Sequence, residues 1–170
     1  MILPIVPYGN SMLRRRCDNI EKGYPNLLSI IDNMWITMFA SNGIGLAAPQ
    51  VNLPIRLFIV ETIKKVFINP EIIDRSLDTC LMKEGCLSIP GIGENIERSS
   101  RITIKYRDED YKLHKDSFEG IDARVIQHEY DHIEGKLFID YVTGLKRKLI
   151  KGKLNDIVND NIVTKYKMLR

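Results

Sequence analysis

One stretch, Gln127 to Phe138, "QHEYDHIEGKLF", limits what this chain can fold into more than any other. Its His128-Glu129-Tyr130-Asp131-His132 fits the H-E-x-x-H pattern. On a helix, residues four apart share a face, so both imidazoles can reach one ion, while Glu129, about 100° around, can reach a water on that ion. Two histidines do not hold a metal alone, and a zinc-type site takes at least one further protein ligand. The fold must therefore bury this helix face and bring another donor to it from a distant part of the chain.

Downstream of the motif the donors are poor. One protease class places its third ligand as H-E-x-x-H-x-x-G-x-x-H, and in that frame this chain has Gly135 and then Phe138. Another class uses a glutamate from a later helix, yet no glutamate follows Glu134 and no histidine follows His132. Asp140, Asp156 and Asp160 read as solvated surface charge. Upstream stand His114, Cys17, Cys80 and Cys86. His114 lies in an alternating strand-like run, Cys17 in a basic stretch, and Cys80 in "DTCLM", where it reads as a small buried residue. Cys86 stands in "KEGCLSIPGIG", where Gly85, Pro90, Gly91 and Gly93 predict an irregular, shaped loop. A free cysteine is as commonly buried filler as ligand, so these residues by themselves leave the third donor open.

The rest of the chain frames the motif. With 170 residues, 44% hydrophobic and 28% charged, it reads as one domain with its own core, residues 1–170. No apolar run approaches the roughly 18 residues of a membrane span. The N-terminal "MILPIVPYGNSMLRRRC" lacks the order of a signal peptide and is interrupted by Pro4 and Pro7, so a cytoplasmic location is expected. A reducing compartment suits three cysteines that cannot all pair. The net charge is only +3, but Lys146, Arg147, Lys148, Lys151 and Lys153 crowd one segment without an acid. That basic helix and tail, residues 145–170, point to an anionic neighbour.

Helical spacing of Leu27, Ile31, Met34 and Met38 predicts a helix over Pro25 to Ser41, with Met34, Trp35, Met38 and Phe39 in the core and Asn42-Gly43 at its end. The runs "IRLFIV", "VFINPEII", "RITIKYR" and "YKLHKDSF" read as strands, the last two as a hairpin with one wet face. A second helix begins near Gly120, carries the metal motif and ends at a left-handed Gly135; a third covers about 143–159. Helix, antiparallel strands and helix predict an α+β domain, mostly antiparallel sheet around a central metal-binding helix.

Three segments taken together are far more specific than the histidine motif alone. "GIGLAAPQ" (Gly43 to Gln50), "EGCLS" (Glu84 to Ser88) and "QHEYDH" (Gln127 to His132) resemble, in order and spacing, the three motifs of the peptide deformylase family. The likeness runs along almost the whole chain. It implies that the chain removes formate from the N-formylmethionine of newly made polypeptides. It implies Cys86, His128 and His132 as ligands of one divalent ion, Fe2+ in the family, although this donor set also suits Zn2+, Ni2+ or Co2+. Glu129 would then carry the proton from water to the departing amine. The side-chain amide of Gln50 and the backbone N–H of Leu87 would donate to the oxyanion.

The resemblance also places the substrate. The segment Gly43, Ile44 and Gly45 would pair with it as an added strand, with Gly91 on the other side and Glu84 among the contacts. Helical spacing puts Ile121 and Val125 on the metal's face as the pocket for the methionine side chain, with the stem of Arg124 beside them and its head in solvent. Relatives often carry a basic residue after "CLSIP", where this chain has Gly91-Ile92-Gly93, so backbone contacts alone are expected there. Asp131 reads equally as support for a ligand and as a helix-solvating charge. In some bacterial relatives the C-terminal helix docks on the ribosome, which makes the basic segment a candidate for that contact; neither DNA nor a membrane is an expected partner. Two rivals stand beside this reading. A metallopeptidase lacks its downstream ligands here, and an idle nascent-chain or ribosome-binding module would need neither Glu129 nor Gln50.

Overall fold

A computed structural model describes residues 1–170. The chain runs α1 (Leu27–Ala40), β1 (Gly45–Ala47), β2 (Leu57–Val60), β3 (Lys65–Arg75), β4 (Thr79–Cys86), β5 (Ile89–Ser99), β6 (Arg101–Arg107), β7 (Leu113–Glu119), α2 (Gly120–Ile133) and α3 (Gly144–Val158). All strand pairs are antiparallel, in one five-stranded sheet ordered β1-β2-β3-β6-β7 and a separate hairpin of β4 and β5. This is the α+β arrangement that the alternation of elements predicts. No helix is long and apolar enough to cross a membrane.

Strand β2, "LFIV", does not alternate because both its faces are covered. Leu57 and Ile59 pack with Ile31, Met34 and Met38 of α1, whereas Phe58 and Val60 pack with Ala123 and Ile126 of α2. The five-stranded sheet is thus clasped between two helices. In β6 the expected alternation holds, with Ile102, Ile104 and Tyr106 buried toward α2. A third cluster joins Ile89, Ile92 and Ile96 of the hairpin to Ile150, Leu154 and Ile157 of α3.

Several boundaries differ from the sequence reading. Helix α1 starts two residues after Pro25, because Asn26 takes a left-handed conformation at φ 58°. Met34 and Met38 are fully buried, but Phe39 is exposed and stacks on Trp35 at 5.8 Å. Residues 79–99, read in part as a shaped loop, form the longest hairpin of the molecule. The apolar pattern missed it because the inward face of β4 and β5 carries Glu84 and Arg98 beside Ile92 and Ile96. A register shift between Gly85 and Cys86 also interrupts the ladder. Gly135 ends α2 with φ 73°, and a Cβ there would lie 2.6 Å from the carbonyl oxygen of Arg14. Only glycine satisfies both conditions.

Candidate active site

Helix α2 turns its two faces to different tasks. Ile126 and Ile133 enter the core against the sheet, while His128, Glu129 and His132 point to the hairpin and to β1. Cys86, the last residue of β4, meets them with its Sγ 3.3 Å from His132 Nε2. Donor atoms of Cys86, His128 and His132 all lie within 4.8 Å of one another. His114 is elsewhere, bonded to Asp108 at 2.6 Å, and Cys17 is buried with its thiol pushed up to about 11 by desolvation.

These three residues fit a metal ion. His128 spends Nδ1 on Glu84 at 2.8 Å, which leaves Nε2 for the cavity. His132 is 1% exposed, and burial keeps it neutral, the form that ligates. Burial opposes a charge on His128, yet hydrogen bonding to Cys86 and Glu84 and the charge of Glu129 raise its pKa. Glu129 Oε2 is buried without any partner, which suits a group that handles a proton in the cavity. Burial pushes the Glu129 carboxyl up to about 7, against the pull of His128.

A buried ionic network stands behind His128. Glu84 Oε1 accepts from Arg98 Nε at 2.6 Å and Arg124 Nη1 at 2.7 Å, and Oε2 accepts from Arg98 Nη2 at 3.0 Å as well as from His128. Desolvation would raise the Glu84 carboxyl, but the bonds from His128 and Arg98 prevail and hold it well below the usual carboxylate range. Arg98 also donates to Asp131 at 2.7 Å, and Tyr141 donates to the same oxygen at 2.9 Å. Glu84, expected among the substrate contacts, does line the cavity, with Oε2 on His128 and Oε1 on the two arginines. One expectation changes here. Arg124, expected with its head in solvent, is 4% exposed and buries its guanidinium against Glu84 and the carbonyls of Ile96 and Cys80. A carboxylate this deep needs cations within bonding distance, and the two arginines supply them. Asp131 reaches the ligands only through Arg98 and Glu84.

On the opposite side the donors are neutral. Gln50, 2% exposed, accepts from the Ala47 N–H at 2.9 Å, so its amide nitrogen faces Cys86 Sγ at 3.4 Å and Ser88 Oγ at 3.3 Å. Leu87 follows Cys86 in the turn between β4 and β5. Strand β1 runs directly over Glu129. A Cβ on Gly45 would sit 2.9 Å from Glu129 Cγ and Cδ, so only glycine allows this approach.

The elements enclose a cavity of about 780 Å³ lined by Gly43, Ile44, Gly45, Gly91, Ile121, Arg124 and Val125 together with Gln50, Cys86, His128 and Glu129. His132 lies behind this lining. Ile44 and Ile121 are each 49% exposed, whereas Val125 is buried. Strand β1 is an edge, paired only with β2, so its other side is free for an extended peptide. Sequence reasoning missed Arg98, Tyr141 and Ser88. Arg98 had a signal of sorts, an arginine across a hairpin from a glutamate, but that signal exists only once the hairpin is recognised.

The comparisons with known proteins agree with this geometry. The polypeptide deformylase family model matches residues 2–148. A peptide deformylase of Christiangramia forsetii is 45% identical over 99% of this chain and 95% of its own length. Among solved structures, a Plasmodium falciparum peptide deformylase in complex with an inhibitor superposes with a TM-score of 0.86 at 40% identity, covering 92% of this chain and 99% of that one. A class I type b peptide deformylase from Acinetobacter baumannii, bound to Met-Ala-Ser, gives a TM-score of 0.80 at 32% identity over 84% of this chain and 99% of that one. With a Cys-His-His group at a peptide-sized cavity, and a family match over most of its length, the chain belongs to the polypeptide deformylase family.

Proposed function

We propose that this chain hydrolyses the N-terminal formamide of formylmethionyl peptides, releasing formate and a free methionyl amine. The observation that carries this reading is the convergence of Cys86, His128 and His132 within 4.8 Å, with the unpartnered Glu129 carboxylate and the Gln50 amide at the same cavity. When bound, a divalent ion supplies Lewis acidity for the formyl carbonyl and an activated water. Glu129 takes the water's proton and returns it to the amine as the C–N bond breaks. The Gln50 amide and the Leu87 N–H donate to the formyl oxygen as negative charge develops on it, without adding charge to the resting site. Glu84 keeps the His128 ring oriented throughout.

The peptide lies along the open edge of β1 at Ile44, with Gly91 across the groove, so recognition downstream of methionine is through the backbone. Ile121 and Val125 receive the methionine side chain, and the buried Arg124 closes the floor beneath them. The ion is Fe2+, and its thiolate partnership makes the site sensitive to oxygen. Substrates are nascent chains, which places the protein in the cytoplasm. Lys148, Lys151 and Lys153, which are exposed and unpaired, are the candidate ribosome contact; Lys146 already pairs with Glu94 at 3.2 Å, and Arg147 donates to the Ile139 carbonyl.

Anaerobic purification with metal analysis, followed by formate release from formyl-Met-Ala-Ser, tests the reading. The wild type should turn over and Glu129→Ala should lose several orders of magnitude while keeping its metal. A wild type inactive with every divalent ion would sink it.

A further inference from the structure

Residues 161–170 follow α3 and return across the molecule to the edge of the active-site cavity. The Ile5 N–H donates to the Lys167 carbonyl at 2.9 Å, and the Leu169 N–H donates to the Ile5 carbonyl at 2.7 Å, so this strap is sewn to the N-terminal segment as a short parallel bridge. Leu169 packs with the hairpin and α3, whereas Tyr166 and Met168 pack on the cluster of α1 and the sheet. Val163, Thr164, Lys165 and Tyr166 form part of the cavity wall. The strap lies beyond residue 148, where the family match ends.

Its one polar reach into the site is specific. The Tyr166 hydroxyl donates to the carbonyl of Leu87 at 2.7 Å. Leu87 and Ser88 form the two-residue turn between Cys86 and Ile89. Ser88 is held on two sides, by the Tyr8 N–H on its carbonyl at 2.8 Å and by Gln50 on its hydroxyl at 3.3 Å. No backbone N–H donates to the Leu87 carbonyl, so the phenol alone sets that end of the residue. A turn residue with its carbonyl fixed and its neighbour anchored has little freedom left to rotate its own N–H.

We infer that Tyr166 is a positioning residue, which clamps the Leu87 carbonyl and thereby holds the Leu87 N–H on the reacting oxygen. The inference rests on the proposed role of Leu87 as an oxyanion donor. It gives the C-terminal strap a part in catalysis distinct from any role of the lysines of α3. It also separates two effects on kinetics: a misaimed donor weakens transition-state binding but leaves ground-state binding of the peptide intact.

The test is Tyr166→Phe, which removes one oxygen and keeps the packing, beside Lys167→Ala as an exposed control in the same strap. Two readouts are taken: steady-state formate release, and amide hydrogen exchange of the 86–89 turn in the protein as purified. Tyr166→Phe should lower kcat about tenfold with KM within twofold, less than the loss of a whole donor. Exchange at the turn should rise roughly fivefold, the size of one net hydrogen bond. Lys167→Ala should change neither. Unchanged kcat and turn exchange in Tyr166→Phe overturn the inference. So does exchange that rises through the whole strap and N-terminal segment instead of at the turn, since Tyr166 would then be a packing residue only. A wild type that releases no formate overturns the proposed function instead, and the exchange data then decide the clamp by themselves.

Discussion

The two walls of the cavity solve opposite electrostatic problems. Behind His128, Glu84, Arg98, Arg124 and Asp131 form a buried set of two anions and two cations, every one less than 10% exposed. Facing it, Gln50, Ser88 and the Leu87 turn are held by neutral hydrogen bonds alone. The first wall fixes a permanent charge. A ligand histidine must not rotate or change its tautomer, and a carboxylate locked by two guanidinium groups is a rigid acceptor for its Nδ1–H. In the proposed reaction the second wall would serve a charge that exists only during turnover, where a preformed dipole adds stabilisation without binding a stray ion at rest. Removing a member of the first wall should therefore damage chiefly the fold, and removing a member of the second chiefly the rate.

The largest expected effect is on the charged wall. Arg98→Ala leaves Glu84 and Asp131 buried without their shared cation, and should cost about 3–5 kcal/mol of stability, measured as a lower urea midpoint. A loss under about 1 kcal/mol would mean that water enters the network and that the two walls are alike. Gln50→Ala should weigh the other way, lowering kcat about 10²- to 10³-fold with a smaller loss of urea midpoint than Arg98→Ala, since the one backbone donor it leaves unpaired is the Ala47 N–H. Gly45→Ala tests the join between the walls. Its Cβ would press Glu129 from 2.9 Å, and a displaced proton carrier should cost on the order of 10²-fold in kcat while the metal stays bound.

A surface pair gives the scale for exposed charge. Arg14 holds Asp140 through bonds of 2.6 and 3.0 Å, with side chains 42% and 33% exposed. Partial burial would raise the Asp140 carboxyl, but the Arg14 and Leu137 donors outweigh it and lower it. Its contribution is thus present above the ordinary carboxylate pKa and fades as pH falls through the folded value. Asp140→Asn should lower the melting temperature slightly near neutral pH, within the 0.2–1 kcal/mol or so of an exposed pair, and the gap should close as pH falls through the lowered Asp140 pKa. The smallest effect is expected from reversing Lys148, Lys151 and Lys153 to glutamate. Formate release should be unchanged, while ribosome co-sedimentation at low salt should fall. Deleting the chain from residue 144 would be a poor version of this experiment, because Ile150, Leu154, Ile157 and Tyr166 would go with the lysines.

The sequence was most legible where local periodicity and chemistry coincide. Helix α2 could be read because its histidines, its core face and its terminal glycine all obey one helical period. The β4–β5 hairpin could not, although it carries Cys86, since its inward face mixes charge with isoleucine and its ladder slips beside Gly85. Glu84 and Arg124 illustrate the limit. Both were expected at the substrate; in the fold Arg124 of α2 meets Glu84 of β4 at 2.7 Å, where burial obliges them to pair.

By itself, then, the sequence determined the family to which the chain belongs and marked the candidate ligands and the proposed proton carrier, because those are matters of residue identity at fixed local spacing. Tertiary structure alone decided which charges are buried together, why Gly45 can be nothing larger, and that the last ten residues return to the turn at Leu87. Those are contacts between segments far apart in the chain, and no local pattern encodes them: Arg98 and Glu84 are separated by 14 residues and Tyr166 and Leu87 by 79.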